Sequence, residues 1–144
     1  MREFYLDKSL KITGYKVTTN NRLELNQNTA AIPNLWKKFS NSDLFNDVNY
    51  GVYFNYKNKH FDDYDLLVGS TKSLSGVCKD CDSIEIQSGK FLVFEADVKQ
   101  IATDVSSLWM KIWNYFKTCD IKRSYLSDFE KYIDNKVEIY ISIL

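Results

Sequence analysis

The pattern of hydrophobic and polar positions along the first half of the chain predicts four elements, in the order strand, helix, strand, strand. Leu10, Ile12 and Gly14 alternate with polar neighbours, and alternation with a period of two is typical of a strand. After a polar loop, apolar residues recur at the i, i+3, i+4 and i+7 spacing that gives a helix one apolar face. The predicted elements are a strand over Ser9–Thr18, a helix from Asn28 or Thr29 to about Phe39, and strands over Tyr50–Tyr56 and Tyr64–Ser70 joined by a hairpin through Lys57–Asp63.

The same order of elements returns in the second half, after a polar connector over Thr71–Ser83. In the second predicted helix the apolar Val105 is followed, after two intervening residues, by Leu108 and Trp109. The first helix carries the same pattern before Leu35 and Trp36. The shared pattern and the shared element order together indicate an internal duplication. The predicted elements are a strand over Lys90–Ala96, a helix from about Thr103 to Lys117, a weakly indicated strand over Ser127–Ile133 and a terminal strand over Lys136–Leu144.

A duplication of this kind predicts a single α+β domain with pseudo-twofold symmetry. The domain spans residues 1–144, with half-repeats at about 1–75 and 84–144. Each half would pack one face of its antiparallel strands on its own helix, because a sheet buries its apolar face against another layer. The remaining faces would meet across the pseudo-twofold axis. A central groove between them is where we expect a ligand, since ligand sites are concave and few per protein.

The terminal strand puts a carboxylate on the face predicted to line this groove. Side chains alternate between the two faces of a strand, so Glu138, Tyr140 and Ser142 lie opposite the apolar Val137 and Ile139. An enclosed carboxylate is costly unless it pairs with a cation. Aromatic faces would add about 0.5–2 kcal/mol per contact to the binding of such a cation. The alternative is a solvated strand residue beside a lysine.

Composition limits the classes of function that the chain can serve. Of its 144 residues, 44% are hydrophobic and 26% are charged, which is typical of a globular protein. The formal net charge is zero, and this disfavours a nucleic-acid-binding protein because such proteins carry a basic excess. We expect no membrane span, since no apolar run approaches about 20 residues. We also expect a cytoplasmic location, since no signal-peptide pattern opens the sequence. Aromatic residues reach 15%, enough to fill a core or line a pocket.

Cysteine and histidine are too few to indicate a metal or cofactor site. Cys78 and Cys81 form a CxxC pair, and one further cysteine and His60 fall short of the four ligands of a zinc site. We therefore expect free thiols in a reducing compartment, and neither a metal nor a cofactor. His60, in the predicted hairpin, has no Cys or Ser partner that would indicate a catalytic triad.

Several short motifs follow one another along nearly the whole chain. They are Ile12-Thr-Gly14, Leu35-Trp36, Tyr50-Gly51-Val52-Tyr53, Asp63-Tyr64-Asp65, Val68-Gly69, Gly89-Lys-Phe91, Leu108-Trp109, Asp128-Phe129-Glu130-Lys-Tyr132 and Val137-Glu138-Ile139-Tyr140-Ile141. In this order and spacing the chain resembles the GyrI-like effector-binding domain, the ligand-sensing module of AraC- and MerR-type regulators. The standalone, integron-associated members are the most similar in style. The family often ends in Glu-Ile-Tyr-Ile-Pro-Ile, and here Ser142 stands in place of the proline.

The resemblance implies a duplicated strand–helix–strand–strand fold around a groove that binds bulky, amphipathic and often cationic small molecules. It maps the acidic residue of the family onto Glu138, with Tyr140 on the same face. It maps the aromatic lining onto Trp36, Tyr53 and Trp109. No helix-turn-helix pair accompanies the module, so we expect no direct DNA binding. The chain is then a sensor, a sequestering protein or the partner of another protein.

Three functions stay open on this basis, and small-molecule binding is favoured over catalysis. Some relatives hydrolyse strained-ring natural products, and in that case Glu138 would be the general base with Tyr53 or Tyr140 nearby. A gyrase-inhibitor-like protein-interaction module is the third hypothesis. A homodimer is a further prediction if the terminal strand lies at a sheet edge, because an unpaired edge is a template for another strand.

Overall fold

The computed structural model describes residues 1–73 and 78–144, and the predicted connector over Thr71–Ser83 lies partly outside them. Its strands are β1 (Arg2–Leu6), β2 (Leu10–Thr19), β3 (Val48–Phe54), β4 (Tyr64–Ser70), β5 (Asp82–Ile86), β6 (Gly89–Asp97), β7 (Ser127–Ile133) and β8 (Lys136–Ser142), and its helices are α1 (Asn21–Glu24), α2 (Ile32–Ser40) and α3 (Ile101–Thr118). The predicted order occurs twice, as β2–α2–β3–β4 and as β6–α3–β7–β8. The α+β prediction is therefore confirmed.

The eight described strands join one antiparallel sheet in the order β1-β6-β8-β7-β3-β4-β2-β5. The two halves meet where β3 pairs with β7, and equivalent strands lie at equal distances on either side of this junction. Each half also contributes a strand to the other, since β1 pairs with β6 and β5 pairs with β2. Two residues, Gln87 and Ser88, connect β5 to β6 although these strands lie toward opposite edges. The sheet therefore curls into a half-barrel.

The curled sheet has an outer face covered by helices and an inner face that packs on itself. On the outer face Val137, Ile139 and Ile141 of β8 pack with α3, so the predicted alternation of this strand is confirmed. The inner face has its own core of buried apolar side chains. Its members are Ile12, Tyr50, Val52, Phe54, Leu67, Ile86, Phe91, Val93, Phe129 and Tyr140. The faces that were expected to enclose a cleft between the halves are thus filled by side chains.

The structure contains three short elements that were not predicted, and their length and composition explain why they were missed. The strands β1 and β5 are the edges of the sheet and α1 has four residues, so none of the three carries a strong apolar period. The helix α2 begins at Ile32, later than the predicted Asn28 or Thr29. The reason is that the carboxylate of Glu24 accepts hydrogen bonds from the backbone N–H groups of Ala31 and Ile32, each at 3.0 Å.

The terminal strand β8 lies between β6 and β7. The condition set for a homodimer by strand pairing, that this strand lies at an edge, is therefore not met. The predicted hairpin between the third and fourth strands is confirmed, because β3 and β4 pair along their length.

Candidate functional site

Glu130 is a carboxylate buried near the centre of the sheet, on the outer face beneath the two longer helices. It lies on β7 and is 2% exposed to solvent. Its Oε2 accepts a hydrogen bond from the Tyr53 hydroxyl at 3.0 Å and another from Nε1 of Trp109 at 2.7 Å. Its Oε1 accepts a hydrogen bond from the Tyr132 hydroxyl at 2.9 Å. We call these residues, together with Trp36, the Glu130 cluster.

The cluster draws on both halves of the chain. Trp36 comes from α2 and packs edge-to-face on Tyr132, with ring centroids 5.0 Å apart. Trp109 comes from α3 and packs edge-to-face on Tyr53 at 5.4 Å. Aromatic pairs of this geometry contribute about 0.5–1.5 kcal/mol beyond the area they bury. All four rings are half-buried. They are therefore partly exposed beside the buried carboxylate, and we refer to the surface that these four rings share as the groove.

Gly51 provides the room for the carboxylate. It lies on β3 directly opposite Glu130 in the register of β3 and β7. A Cβ atom at this position would lie 3.0 Å from Oε1 of Glu130 and 3.4 Å from the Trp36 ring. Both distances are at or below ordinary van der Waals contact, so a larger residue would press on the cluster.

The carboxyl group of Glu130 has no counter-ion among the described residues. Its three hydrogen-bond partners are neutral donors, and among the described residues it takes part in no ion pair. Burial raises the pKa of the Glu130 carboxyl, and the hydrogen bonds from Trp109, Tyr132 and Tyr53 act in the opposite direction. Burial and the neighbouring carboxylate raise the pKa of Tyr53 well above its ordinary value, so this hydroxyl stays protonated.

Glu138 and Tyr140 lie on the opposite face of the sheet. The Glu138 side chain is 14% exposed and forms an ion pair with Arg2, whose Nη2 is 2.9 Å from its Oε2. The Tyr140 hydroxyl donates to Oε1 of Glu138 at 3.0 Å, and its ring stacks on Phe129 at 4.3 Å in the inner core. The partly enclosed carboxylate beside an aromatic hydroxyl is present as predicted, but its cationic partner here is Arg2. Ligand binding by Glu138 stays a prediction.

The structure brings Trp36, Tyr53 and Trp109 together and separates them from Glu138 and Tyr140. For the hydrolase hypothesis this means that Tyr53 is hydrogen-bonded to Glu130, while Glu138 lies across the sheet. The combination of Glu138 with Tyr53 as base and neighbouring hydroxyl is therefore wrong.

The residues that sequence reasoning missed are Glu130 and Tyr132. The predicted strand over Ser127–Ile133 is confirmed, and its alternation already puts Asp128, Glu130 and Tyr132 on one face. Phe129 lies on the other face. Because both faces carry a large aromatic ring, the pattern does not show which one turns toward the helices.

A second carboxylate, Asp128, shares the outer face of β7 but is fully paired. Its side chain and that of Arg123 are 0% and 5% exposed, and Nη2 of Arg123 lies 2.7 Å from its Oδ2. Its Oδ1 accepts a hydrogen bond from the backbone N–H of Ser142 at 2.8 Å. The Tyr56 hydroxyl also donates to Oδ2. These contacts join the segment before β7 to β8. We therefore assign Asp128 a role in stabilising the fold and not in binding a ligand.

The cysteine prediction needs a correction. Cys78 and Cys81 are joined by a disulfide, so the expectation of free thiols is wrong for this pair, whereas Cys119 is free. Within residues 1–73 and 78–144, no three His, Cys, Asp or Glu side chains are placed to hold a metal ion. None of the helices described is both long and apolar enough to cross a membrane.

Comparisons with known proteins give one family and a set of similar structures. The family model described as integron-associated effector binding protein matches residues 6–143. An integron cassette protein from the mobile metagenome of Vibrio cholerae is 32% identical, with a TM-score of 0.89 over 99% of this chain and 95% of that one. No curated protein sequence matches the chain.

Two further structures are similar in fold. SAV2435, solved with bound tetraphenylphosphonium, is 20% identical, with a TM-score of 0.73 over 99% of this chain and 93% of that one. A protein described as a putative bacterial transcription regulation protein from Staphylococcus aureus MU50 is also 20% identical, with a TM-score of 0.72 over 99% and 96% of the two chains. At this identity the likeness concerns the fold alone.

Proposed function

The chain belongs to the family of integron-associated effector-binding proteins, and from this premise we infer that its groove binds lipophilic cations with Glu130 as their charge partner. Binding of a small-molecule effector is the general function that membership of the family supports. The observation that carries the more specific proposal is the buried Glu130 carboxylate, which has three neutral donors and no cation among its described contacts.

A lipophilic cation would gain from two features of this site. A unit charge 4 Å from the carboxylate gains about 4 kcal/mol at an effective dielectric constant of about 20. The rings of Trp36 and Trp109 would add cation–π contacts of about 0.5–2 kcal/mol each. A strongly hydrated ion would lose much of this gain to its own desolvation, since burying a charge is costly. The site therefore favours a charge that is spread over a bulky, apolar body.

The aromatic residues of the cluster fit the same class of ligand. Their half-buried rings offer contact area along the groove, and stacking places few demands on ligand shape. The structural neighbour SAV2435 was solved with tetraphenylphosphonium, a bulky lipophilic cation. This compound is accordingly the first probe to use.

The test compares tetraphenylphosphonium with neutral triphenylphosphine oxide by isothermal titration calorimetry. We expect the cation to bind more tightly, and Glu130→Gln to weaken its binding at least tenfold, which corresponds to about 1.4 kcal/mol. The matched control is Glu138→Gln, which removes a carboxylate from the opposite face and is expected to leave the affinity unchanged. A loss confined to Glu138→Gln would instead assign the charge partner to Glu138. Equal binding of the charged and neutral probes would contradict the proposal.

A hydrolase is the second candidate, and the contact between Tyr53 and Glu130 is the observation that favours it. A carboxylate whose pKa is raised by burial, next to a phenol, has the components of a general base with a positioned hydroxyl. Mass-spectrometric detection of water addition to a strained-ring electrophile would support this function, provided that Glu130→Gln and Tyr53→Phe each abolish it. Tight binding without turnover would leave the binding function alone.

A further inference from the structure

A row of aromatic rings leads from the Glu130 cluster along α3 to His60. Trp109 and Trp113 are four residues apart on α3, so they share a helix face, and their ring centroids are 6.1 Å apart. The His60 imidazole lies nearly parallel to Trp113, with centroids 6.5 Å apart and an interplanar angle of 17°. Four residues, which rise about 6 Å along the helix axis, separate the two tryptophan positions. His60 thus lies beyond Trp113, further from Glu130.

The register of the central strands puts His60 at one end of the groove. Phe54, the last residue of β3, pairs with Ser127, the first residue of β7. The loop that follows β3 and the loop that precedes β7 therefore lie at the same end of the sheet. The first loop carries His60 and the second carries Tyr125. Nδ1 of His60 is 3.1 Å from the Tyr125 hydroxyl, and this contact joins the two loops.

The partner of His60 is held in an unusual backbone conformation. Tyr125 has a φ of 54°, a left-handed value that residues with bulky side chains rarely adopt. The Arg123 guanidinium lies 4.2 Å from the centroid of the Tyr125 ring. Residues kept in such sparsely populated conformations cluster at functional sites, because the surrounding structure must over-determine them. Here the consequence is a fixed Tyr125 hydroxyl that faces Nδ1 of His60.

This arrangement determines which nitrogen of His60 carries the hydrogen. Burial, followed by the charges of Arg123 and Lys59, lowers the pKa of His60, so the ring is neutral and has one donor and one acceptor. A phenol O–H is a stronger donor than a neutral imidazole N–H, and an imidazole nitrogen is a stronger acceptor than a phenol oxygen, so we assign the Tyr125 hydroxyl as the donor to Nδ1. The donor is therefore Nε2. None of the hydrogen bonds between described residues engages Nε2, and the imidazole is half-exposed.

We propose that His60 is a second recognition point of the groove, where its Nε2–H donates a hydrogen bond to an acceptor oxygen on the ligand. The inference rests on the proposed function and names the ligand class more closely. That class is a lipophilic cation which also carries a carbonyl, ether or similar oxygen, separated from the cationic centre by about the length of the Trp109–Trp113 row. Glu130 selects the charge, and His60 selects the polar arm.

The experiment uses two triphenylphosphonium cations with alkyl arms of equal length, one of which contains a ketone. Calorimetry on the wild-type protein is expected to show a three- to tenfold preference for the ketone probe, the usual range for one neutral hydrogen bond. His60→Phe keeps a ring beside Trp113 but removes both nitrogens, and the ratio of the two affinities should fall to about one. His60→Gln retains an N–H donor and should restore part of the preference. Asp62→Asn, in the same loop, is the control and should keep it.

The outcomes separate this inference from the proposed function. Equal affinities of the wild-type protein for the two probes would overturn the role of His60, as would a preference that survives His60→Phe. If the hydrocarbon probe still binds and is weakened by Glu130→Gln, only the inference about His60 fails. If neither cation binds the wild-type protein, the proposed function fails and the inference fails with it.

Discussion

Replacement of Glu130 by Gln should leave the fold intact and make it more stable at neutral pH, although the same change should weaken cation binding at least tenfold. The amide oxygen of Gln takes the place of Oε2 and continues to accept from Tyr53 and Trp109. The amide nitrogen then faces the Tyr132 hydroxyl, which can turn and act as an acceptor. All four residues therefore keep a hydrogen-bond partner, and the volume of the site is unchanged.

Two opposing contributions set the change in the free energy of unfolding that Glu130→Gln causes. Three hydrogen bonds to a charged acceptor become neutral ones, which costs about 1 kcal/mol each. Relief from burying an ion that has no counter-ion contributes several kcal/mol. The second term is the larger, because burial raises the pKa of Glu130 despite the three donors. The expected net gain at neutral pH is on the order of 1 kcal/mol. Glu130→Ala should instead cost about 3–6 kcal/mol, since it leaves the buried donors without an acceptor.

The pH dependence follows from the sign of the pKa shift. A carboxyl group whose pKa is raised in the folded state favours folding below its ordinary pKa of 4.5, and this contribution is lost as the pH rises through the folded-state value. The wild-type protein should therefore lose stability relative to Glu130→Gln as the pH rises above the ordinary pKa of 4.5 and through the higher folded-state pKa.

Urea unfolding followed by far-ultraviolet circular dichroism measures this difference at each pH. The control is Glu138→Gln, whose carboxylate already has Arg2, and which should lose up to about 1 kcal/mol. A Glu130→Gln variant that is less stable than the wild type by more than about 1 kcal/mol at neutral pH would refute the reasoning. So would a difference between the two proteins that does not change with pH.

Two further predictions concern the surroundings of Glu130. Gly51→Ala puts a Cβ 3.0 Å from Oε1 of Glu130, so calorimetry should show several-fold weaker binding of tetraphenylphosphonium, with a change of less than about 2 kcal/mol in the free energy of unfolding. Unchanged affinity would mean that the ligand does not reach this carboxylate. Asp128→Asn leaves the buried Arg123 guanidinium without its counter-ion and should cost about 3–5 kcal/mol in urea unfolding. A cost below about 1 kcal/mol would contradict the structural role given to this pair.

Most of the secondary structure could be predicted because its signals are local. The helices around Trp36 and Trp109 each have an apolar face, and β7 spans the residues that were predicted for it. The edge strands β1 and β5 could not be predicted in the same way. Each is five residues long, largely exposed and paired with a strand from the other half of the chain, so an alternation as brief as Ile84-Glu85-Ile86 is too short a local signal to indicate a strand.

The terminal strand shows which part of the site could be predicted from the sequence and which part could not. Alternation in β8 correctly separated Glu138 from Ile139 and its apolar neighbours. The further step, that the face of Glu138 lines an open groove, depended on how the two halves meet. The curl of the sheet brings the inner faces together around a packed core, and the Arg2 guanidinium pairs with Glu138 at its margin. Arg2 belongs to β1, which the predicted topology did not contain.

The sequence by itself determined the strand–helix–strand–strand order that occurs twice, the repeated Leu-Trp positions, the two faces of the strands in that order, and the family. Tertiary structure alone decided which faces turn toward the helices, and so which carboxylate lies under Trp36 and Trp109. The physical reason is that a period of two distinguishes the faces of a strand without saying what covers them. In β7 and β8 both faces are apolar enough to be buried. Only the pairing of β3 with β7 puts Glu130 opposite Gly51, where there is room for its carboxylate.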